Sequence, residues 1–133
     1  MSLGTVGDRL PDAPGGAQLR MIAMPRDANP SGDVFGGWTL SQMDLAGATF
    51  AVGLSGLRVV TVRIEAAEFL KPVCVGDDVS VFCWLEHQGR TSVKVRMEVW
   101  ARSRSGAEPH KVTEGVFDYV AVDENGKPHP IEQ

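Results

Sequence analysis

Asp44 is a carboxylate in an otherwise apolar stretch whose residue spacing is helical. It lies four residues after Leu40 and three before Gly47, on the stripe that such a helix would bury. Burying an ionised acid is costly unless it is paired or hydrogen-bonded, and its sequence neighbours are apolar. One interpretation is that this face is only partly buried or that Asp44 bonds a backbone amide across the core. The other is that the acid is kept in a cleft as a base or nucleophile.

A pair of glycines, Gly36 and Gly37, opens the predicted helix. The N–H groups of a first helical turn have no partner within the helix and lie at the positive end of its dipole. The amides near Gly37 and Trp38 are therefore candidates for polarising an acyl carbonyl oxygen, and Asp44, two turns further on, would face the same cavity. The alternative is that the glycines only allow tight packing of the helix against a strand.

The remaining reactive side chains give weaker signals. His87, His110 and His129 have no carboxylate or cysteine at ligand spacing, so we predict surface histidines and no metal site. Cys74 and Cys83 lie in apolar surroundings without a C-x-x-C spacing, so we interpret both as small buried residues rather than as a disulfide or zinc ligands.

The composition is that of one folded, acidic domain. The 133 residues are 43% hydrophobic and 23% charged, and thirteen Lys and Arg against seventeen Asp and Glu give a net charge of −4, which disfavours nucleic acid or an anionic membrane as partner. Residues 34–57 are nearly uncharged, but Asp44 at their centre would cost about 2.5–3.5 kcal/mol in a bilayer, so we reject a membrane span. The N-terminal residues lack the basic and apolar regions of a signal peptide, so we expect a cytoplasmic protein.

The elements that must position Asp44 follow from changes in the hydrophobic period. The apolar run 19–24 predicts a first strand, and the turn-rich residues 25–33 predict a loop. Helical spacing then runs from Gly36 to Leu54 and ends at Gly53, Ser55 and Gly56, with a buried stripe of Leu40, Met43, Gly47, Phe50, Ala51 and Leu54. From residue 60 the period is two: Val60, Val62 and Ile64 alternate with polar residues, residues 79–85 and 93–99 form a hairpin, and residues 112–122 form a last strand.

This order predicts an α+β fold in which a curled antiparallel sheet packs against a single long helix. Long edge strands favour a homodimer with a continuous sheet, although Lys94, Arg96 and Glu98 could instead guard such an edge. We predict a flexible N-terminal arm over residues 1–17, one domain over residues 18–128 and a short tail over residues 129–133, with the chain mobile again after Gly126.

Several segments resemble a known family. Residues 24–44 closely resemble the bacterial acyl-CoA hydrolase branch of the hotdog-fold thioesterases, the YciA type, and the similarity continues through residues 58–62, 69–72, 75–77, 89–92 and 116–122. The resemblance implies a hotdog fold, in which the sheet wraps the helix. It also implies a dimer with two active sites at its interface, assembly of dimers into a hexamer, and acyl-CoA as substrate without a required cofactor.

The same resemblance implies roles for individual residues. Asp44 matches the catalytic carboxylate, Asn29 matches an asparagine that approaches it from the partner subunit, and the Gly36 and Gly37 amides match the helix start that polarises the thioester. Thr61 would line the acyl and pantetheine tunnel. Lys71 and the turn formed by Gly89, Arg90, Thr91 and Ser92 would lie near the nucleotide end of coenzyme A.

Thioester hydrolysis is consistent with this set of residues. A thioester has a good leaving group, so oxyanion stabilisation and one carboxylate suffice, and the chain contains no G-x-S-x-G motif. Asp44 could deprotonate an attacking water, with Asn29 orienting it, or attack the carbonyl itself to form a mixed anhydride; we favour the general base. A non-catalytic acyl-CoA binding or sensing module is the alternative function. A hotdog hydratase would need an Asp and His pair, which the helix start lacks.

The phosphates of coenzyme A require a local basic patch on an acidic protein. The candidates in the strand region are Arg58, Arg63, Lys71, Arg90, Lys94 and Arg96. Lys94 and Arg96 alternate with apolar residues on a strand, which is typical of solvated charges. Arg90 is the favoured candidate, because turn amides and the hydroxyls of Thr91 and Ser92 accompany it.

Overall fold

A computed structural model describes residues 9–132 and shows one long helix and five strands in the predicted order. They are β1 (Leu19–Ile22), α1 (Gly36–Ser55), β2 (Arg58–Phe69), β3 (Asp78–Gln88), β4 (Ser92–Arg102) and β5 (His110–Val122), with a short 3-10 helix at Pro25–Asp27. Helix α1 ends where Gly56 adopts a φ of 72°, a left-handed conformation that favours glycine. No helix in the described part of the chain is long and apolar enough to cross a bilayer.

The strands form one antiparallel sheet in the order β1-β3-β4-β5-β2. The predicted hairpin is confirmed, because β3 and β4 pair with Val81 opposite Val99 and Cys83 opposite Met97. β1 and β2 are the edge strands, and β2 is the longer, with 12 residues. The sequence-predicted α+β architecture is therefore observed.

The core lies between α1 and the inward-facing residues of β3, β4 and β5. Val81, Cys83, Val95 and Met97 are fully buried, as expected from their alternation. Each such side chain contributes about 1.5–3 kcal/mol through removal from water.

The buried stripe of α1 differs in part from the predicted one. Met43, Gly47 and Ala51 are buried, and Leu40 and Phe50 pack partly buried against the core. Leu54 is 41% exposed, so its placement in the stripe was wrong. It lies in the last helical turn, where the chain already turns towards β2.

The strand predicted from residue 60 is observed as β2, but two irregularities interrupt its alternation. The pairing register with β5 shifts between Thr61 and Arg63 and again between Ile64 and Ala66. Each bulge inserts one residue and thereby changes which side chains face inwards. Thr61 precedes both bulges and faces α1 because it lies opposite the inward-facing Tyr119. Val60, Val62 and Ile64 do not form a buried row and are 39%, 55% and 46% exposed.

Residues 18 and 127–132 connect the ends of the described chain to the sheet. Residues 1–8 of the predicted arm lie outside the described residues, and in the described chain the first backbone hydrogen bond to a strand is from the Gln18 N–H to the Val81 carbonyl. We expected the chain to be mobile after Gly126, but it is bonded to the sheet. The His129 and Ile131 N–H groups donate to the Ala121 and Arg90 carbonyls, and the Ile131 side chain is 5% exposed.

Candidate active site

Asp44 is half-buried on α1 and its carboxylate contacts two strands of the sheet. The Thr61 hydroxyl on β2 donates to Oδ1 at 2.6 Å, and the Tyr119 hydroxyl on β5 lies 3.1 Å from the same oxygen. The partners are thus side-chain hydroxyls and not a backbone amide across the core. Oδ2 has no hydrogen-bond partner among residues 9–132. The acid is therefore held in place with one oxygen free.

Tyr119 is a site residue that the sequence analysis missed. Its side chain is buried, and its hydroxyl also lies 3.1 Å from the main-chain oxygen of Asp44. Burial, followed by the charge of Asp44 and the hydrogen bond to it, raises the pKa of Tyr119 above its usual value, so the phenol keeps its proton and acts as a donor. The inward alternation of Phe117 and Tyr119 on β5 was the only available signal.

The start of α1 exposes bare amides. Phe35 precedes the helix without a side-chain cap, and in the described chain the Gly36 and Gly37 N–H groups have no partner. The Trp38 N–H was expected to be a free donor, but it donates to the Phe35 carbonyl at 3.0 Å. A Cβ on Gly36 would lie 3.2 Å from the Phe69 ring, whereas one on Gly37 would meet nothing within 4 Å. Open space therefore lies beside the Cα atom of Gly37.

Asn29 lies beside this helix start rather than beside Asp44. Its Oδ1 accepts the N–H groups of Ser31 and Asp33 at 2.9 and 3.1 Å, which closes the loop before α1. The side-chain Nδ2 has no partner within residues 9–132. A cavity of about 340 Å³ is lined by Asn29, Gly36 and Lys71, among others. No hydrogen bond joins Asn29 to Asp44 within the described chain.

The predicted coenzyme A contacts lie at opposite ends of the sheet. The Lys71 N–H donates to the Val112 carbonyl near the beginning of β5, and the Thr91 carbonyl accepts the Ala121 N–H near its end. Nine residues at about 3.3 Å each separate these points by roughly 30 Å. The turn Gly89–Ser92 is closed by the Gly89 N–H bond to the Ser92 carbonyl. One chain therefore does not bring Lys71 and Arg90 together.

Most of the other basic candidates are paired on the outer face of the sheet. The Lys94 ammonium lies 2.8 Å from Glu65, and this hydrogen bond raises its pKa. Arg63 lies 2.8 Å from Asp118, and Arg96 lies 3.2 Å from Glu98 and 4.1 Å above the Trp84 ring. Arg90 is exposed and forms no ion pair in the described part of the chain.

The thiols are unsuited to be nucleophiles. Burial raises the pKa of Cys83 to about 12. Cys74, expected to be buried, is exposed in the connection before β3, where Asp33 pairs with it as an isolated bridge. Partial burial, followed by the charges of Asp77 and Asp33, raises the pKa of Cys74. Among residues 9–132 no three His, Cys, Asp or Glu side chains cluster as metal ligands would.

A further cavity of about 360 Å³ lies on the outer face of the sheet and is lined by Arg20, Phe82 and Trp100, among others. None of the predicted site residues lines it. The open space near the predicted chemistry is therefore the cavity at Asn29 and the start of α1.

A single long helix wrapped by a curled antiparallel sheet is the arrangement of the hotdog fold. The Thioesterase superfamily profile matches residues 31–107. The chain belongs to this superfamily and has its hotdog fold.

Close relatives share most of the chain. It is 48% identical over 117 residues to the acyl-CoA thioester hydrolase YciA of Salmonella typhimurium, covering 85% of this chain and 87% of that protein, which confirms the resemblance. The hexameric thioesterase y2039 of Yersinia pestis has a TM-score of 0.87 at 44% identity, over 93% of this chain and 99% of the other. An aspartate-to-alanine variant of HI0827, a hexameric broad specificity acyl-coenzyme A thioesterase, has a TM-score of 0.85 at 43% identity, over 88% and 86%.

Proposed function

We propose that this protein hydrolyses acyl-CoA thioesters to a free carboxylic acid and coenzyme A. The observation that carries the proposal is the Asp44 carboxylate, which two hydroxyls hold by Oδ1 while Oδ2 stays free. A positioned carboxylate with one free oxygen is suited to take a proton from water. Relatives named as acyl-CoA thioester hydrolases support the same reaction.

The complete site forms between two copies of the chain. β2 is a long edge strand with exposed apolar side chains, of which Phe69 is 52% exposed. Pairing two such strands across a two-fold axis covers both edges and places the end of one β2 beside the beginning of the other. Lys71, just after the end of β2, then lies near Arg58 and Thr61 of the other copy. The hexameric state of relatives is consistent with three such dimers.

This pairing also places a helix start opposite each carboxylate. Gly37 and Asp44 of one helix are seven residues apart, roughly 10 Å at about 1.5 Å per residue, so a carbonyl held at that helix start is distant from its own Asp44. The partner's Gly37 and the partner's Asn29 face Asp44 instead. The thioester oxygen accepts hydrogen bonds from the partner's bare amides, which stabilise the oxyanion.

Hydrolysis proceeds by general-base catalysis. Asp44 Oδ2 takes a proton from a water molecule, which the partner's Asn29 orients, as the water oxygen bonds to the thioester carbon. The tetrahedral intermediate then collapses, the C–S bond breaks, and the thiolate of coenzyme A leaves and takes the proton back from Asp44. The acid product and coenzyme A account for every atom of the ester and water.

The nucleotide of coenzyme A lies where the two chains meet. The turn Gly89–Ser92 is next to the end of β5 and the beginning of β2, because Ser92 pairs with Val120 and Val120 with Val60. The partner's Lys71 approaches the same end. Arg90 and the partner's Lys71 thus supply the positive charge for the phosphates.

Asp44→Asn tests the function in a thiol-release assay over short, medium and long acyl-CoA esters. We expect kcat to fall by about 10²–10⁴-fold, because asparagine keeps the shape but cannot accept the proton. Ser80→Ala, which removes a hydroxyl on β3 far from the site, is the control and retains full activity. Unchanged thiol release by a folded Asp44→Asn protein would overturn the proposal. Coenzyme A binding without any thiol release from the wild type would instead support a non-catalytic binding module.

Oxygen-18 water separates the two catalytic routes. In a single turnover, general-base catalysis transfers the label only to the carboxylic acid product. Hydrolysis of a mixed anhydride on its Asp44 carbonyl would leave label in the enzyme. Mass spectrometry of the peptide that contains Asp44 detects an anhydride that water opens at its Asp44 carbonyl, and labelled peptide would contradict the general-base route.

A further inference from the structure

The Tyr119 hydroxyl reaches Asp44 through a gap in α1 that Gly47 provides. A Cβ at position 47 would overlap the Tyr119 hydroxyl oxygen and would lie 2.8 Å from Cζ of its ring and 2.9 Å from Cε of Met97. Any larger residue would push the tyrosine away from the helix. Gly47 is three residues after Asp44, so the gap opens one turn beyond the carboxylate and on the side that faces β5.

The Tyr119 hydroxyl holds both the backbone and the side chain of Asp44. It lies 3.1 Å from the main-chain oxygen and 3.1 Å from Oδ1. Thr61 donates to the same Oδ1 from the neighbouring strand. The carboxylate is thereby fixed from two directions in one rotamer. Oδ2 is left as the oxygen without a donor in the described part of the chain.

We infer that Tyr119 is a positioning residue for the hydrolysis, which together with Thr61 fixes Asp44 by Oδ1 and makes Oδ2 the oxygen that takes the proton from water. This rests on the proposed role of Asp44. A proton acceptor works only when it stays within hydrogen-bonding distance and alignment of the attacking water. Without the Tyr119 hydroxyl, Asp44 retains Thr61 as a single donor and its carboxylate is free to rotate about that contact.

A double-mutant cycle with Tyr119→Phe and Asp44→Asn tests the inference. Tyr119→Phe keeps the ring in the core and removes one hydroxyl. We expect kcat to fall about 10-fold, the size of one lost hydrogen bond, with KM within about twofold of the wild type. In the Asp44→Asn background, where no carboxylate remains to be positioned, Tyr119→Phe should cause no further loss.

The outcomes separate this inference from the proposed function. If Asp44→Asn retains wild-type kcat, the proposed function itself fails. If Asp44→Asn abolishes turnover but Tyr119→Phe leaves kcat unchanged, only the positioning role fails. An equal loss from Tyr119→Phe with and without the carboxylate would show a general packing effect and would also overturn the positioning role.

Gly47→Ala provides a second route that leaves the tyrosine intact. The added methyl group displaces the Tyr119 hydroxyl, so kcat should fall to a similar extent while KM stays unchanged. Gly53→Ala is the matched control, because a Cβ there meets nothing within 4 Å on the same helix. A folded Gly47→Ala protein with the kcat of Gly53→Ala would contradict the inference.

Discussion

Packing within its own chain does not require a glycine at position 37. A Cβ there meets no atom within 4 Å, and the Gly37 N–H has no partner within residues 9–132. An exposed, unbonded amide at a helix start is a donor that a carbonyl oxygen could accept from.

We expect Gly37→Ala to separate activity from stability. Alanine raises helix propensity, so the free energy of unfolding should rise by roughly 0.5 kcal/mol. The added methyl group would shift the thioester from its donors, and a displacement of about 1 Å lowers kcat/KM by about 100-fold. Thermal unfolding and thiol release measure the two effects, with Gly53→Ala as a control that gains stability only. Full activity of Gly37→Ala would argue against an oxyanion site at this amide.

Asp44 could be singled out from the sequence as a candidate and Tyr119 could not, for a physical reason. A charged residue on an apolar helical stripe is a local anomaly that needs only helix geometry to recognise. The Tyr119 contact depends on the register of β5 against β2 and on the absence of a side chain at Gly47. Such contacts join residues 75 positions apart, and no local pattern encodes them.

At the scale of elements, the segment after Gly126 acts as part of the sheet. The Ile131 N–H bonds the Arg90 carbonyl, and its side chain packs into the core cluster. The segment therefore braces the turn Gly89–Ser92, which we propose to contact coenzyme A.

Ile131→Ala should weaken the attachment of the segment after Gly126 to the turn Gly89–Ser92. Loss of a buried aliphatic side chain should lower the free energy of unfolding by about 2 kcal/mol. Amide hydrogen exchange at His129 and Ile131 should accelerate, and KM for acyl-CoA should rise more than kcat falls. Glu132→Ala, an exposed neighbour, serves as the control. Unchanged exchange at both amides would show that the side chain does not hold the segment.

The order of elements was predictable because each has a clear hydrophobic period, whereas the bulges in β2 were not. A bulge adds one residue without changing local composition, so the apparent alternation of Val60, Val62 and Ile64 continued through it. The exposure of Leu54 at the end of α1 was equally unpredictable, because the helical spacing continues there although the sheet no longer covers the residue.

At the scale of the whole molecule, the two halves of the proposed site lie on different parts of one chain. Asp44 and Thr61 form one half. The other half is the cavity lined by Asn29, Gly36 and Lys71, with Gly37 adjacent at the start of α1. Each active site of a dimer then combines the first half of one copy with the second half of its partner.

Two inactive variants should therefore restore activity when mixed. Asn29→Asp keeps the oxygen that accepts the Ser31 and Asp33 N–H groups but loses the amide donors, and Asp44→Asn loses the base. In a random equal mixture, half of the dimers are mixed and each has one intact site. Thiol release should thus reach about one quarter of the wild-type rate.

The mixture is prepared by co-expression, and native mass spectrometry verifies that mixed oligomers form. Each variant alone, prepared in parallel, sets the baseline. Mixed oligomers with no more activity than this baseline would place both halves of the site within a single chain.

The free edge of β2 makes the newly synthesised chain prone to aggregation before it self-associates. Its 12 residues leave about 40 Å of backbone unpaired on one side, with the β-prone run of residues 59–64 along it. A surface of this kind is a template for fibrils and a target for quality-control proteases. We expect variant proteins with weakened self-association to precipitate or be degraded before they accumulate as soluble monomers. We therefore expect substitutions in this strand to affect survival of the polypeptide in the cell as well as turnover.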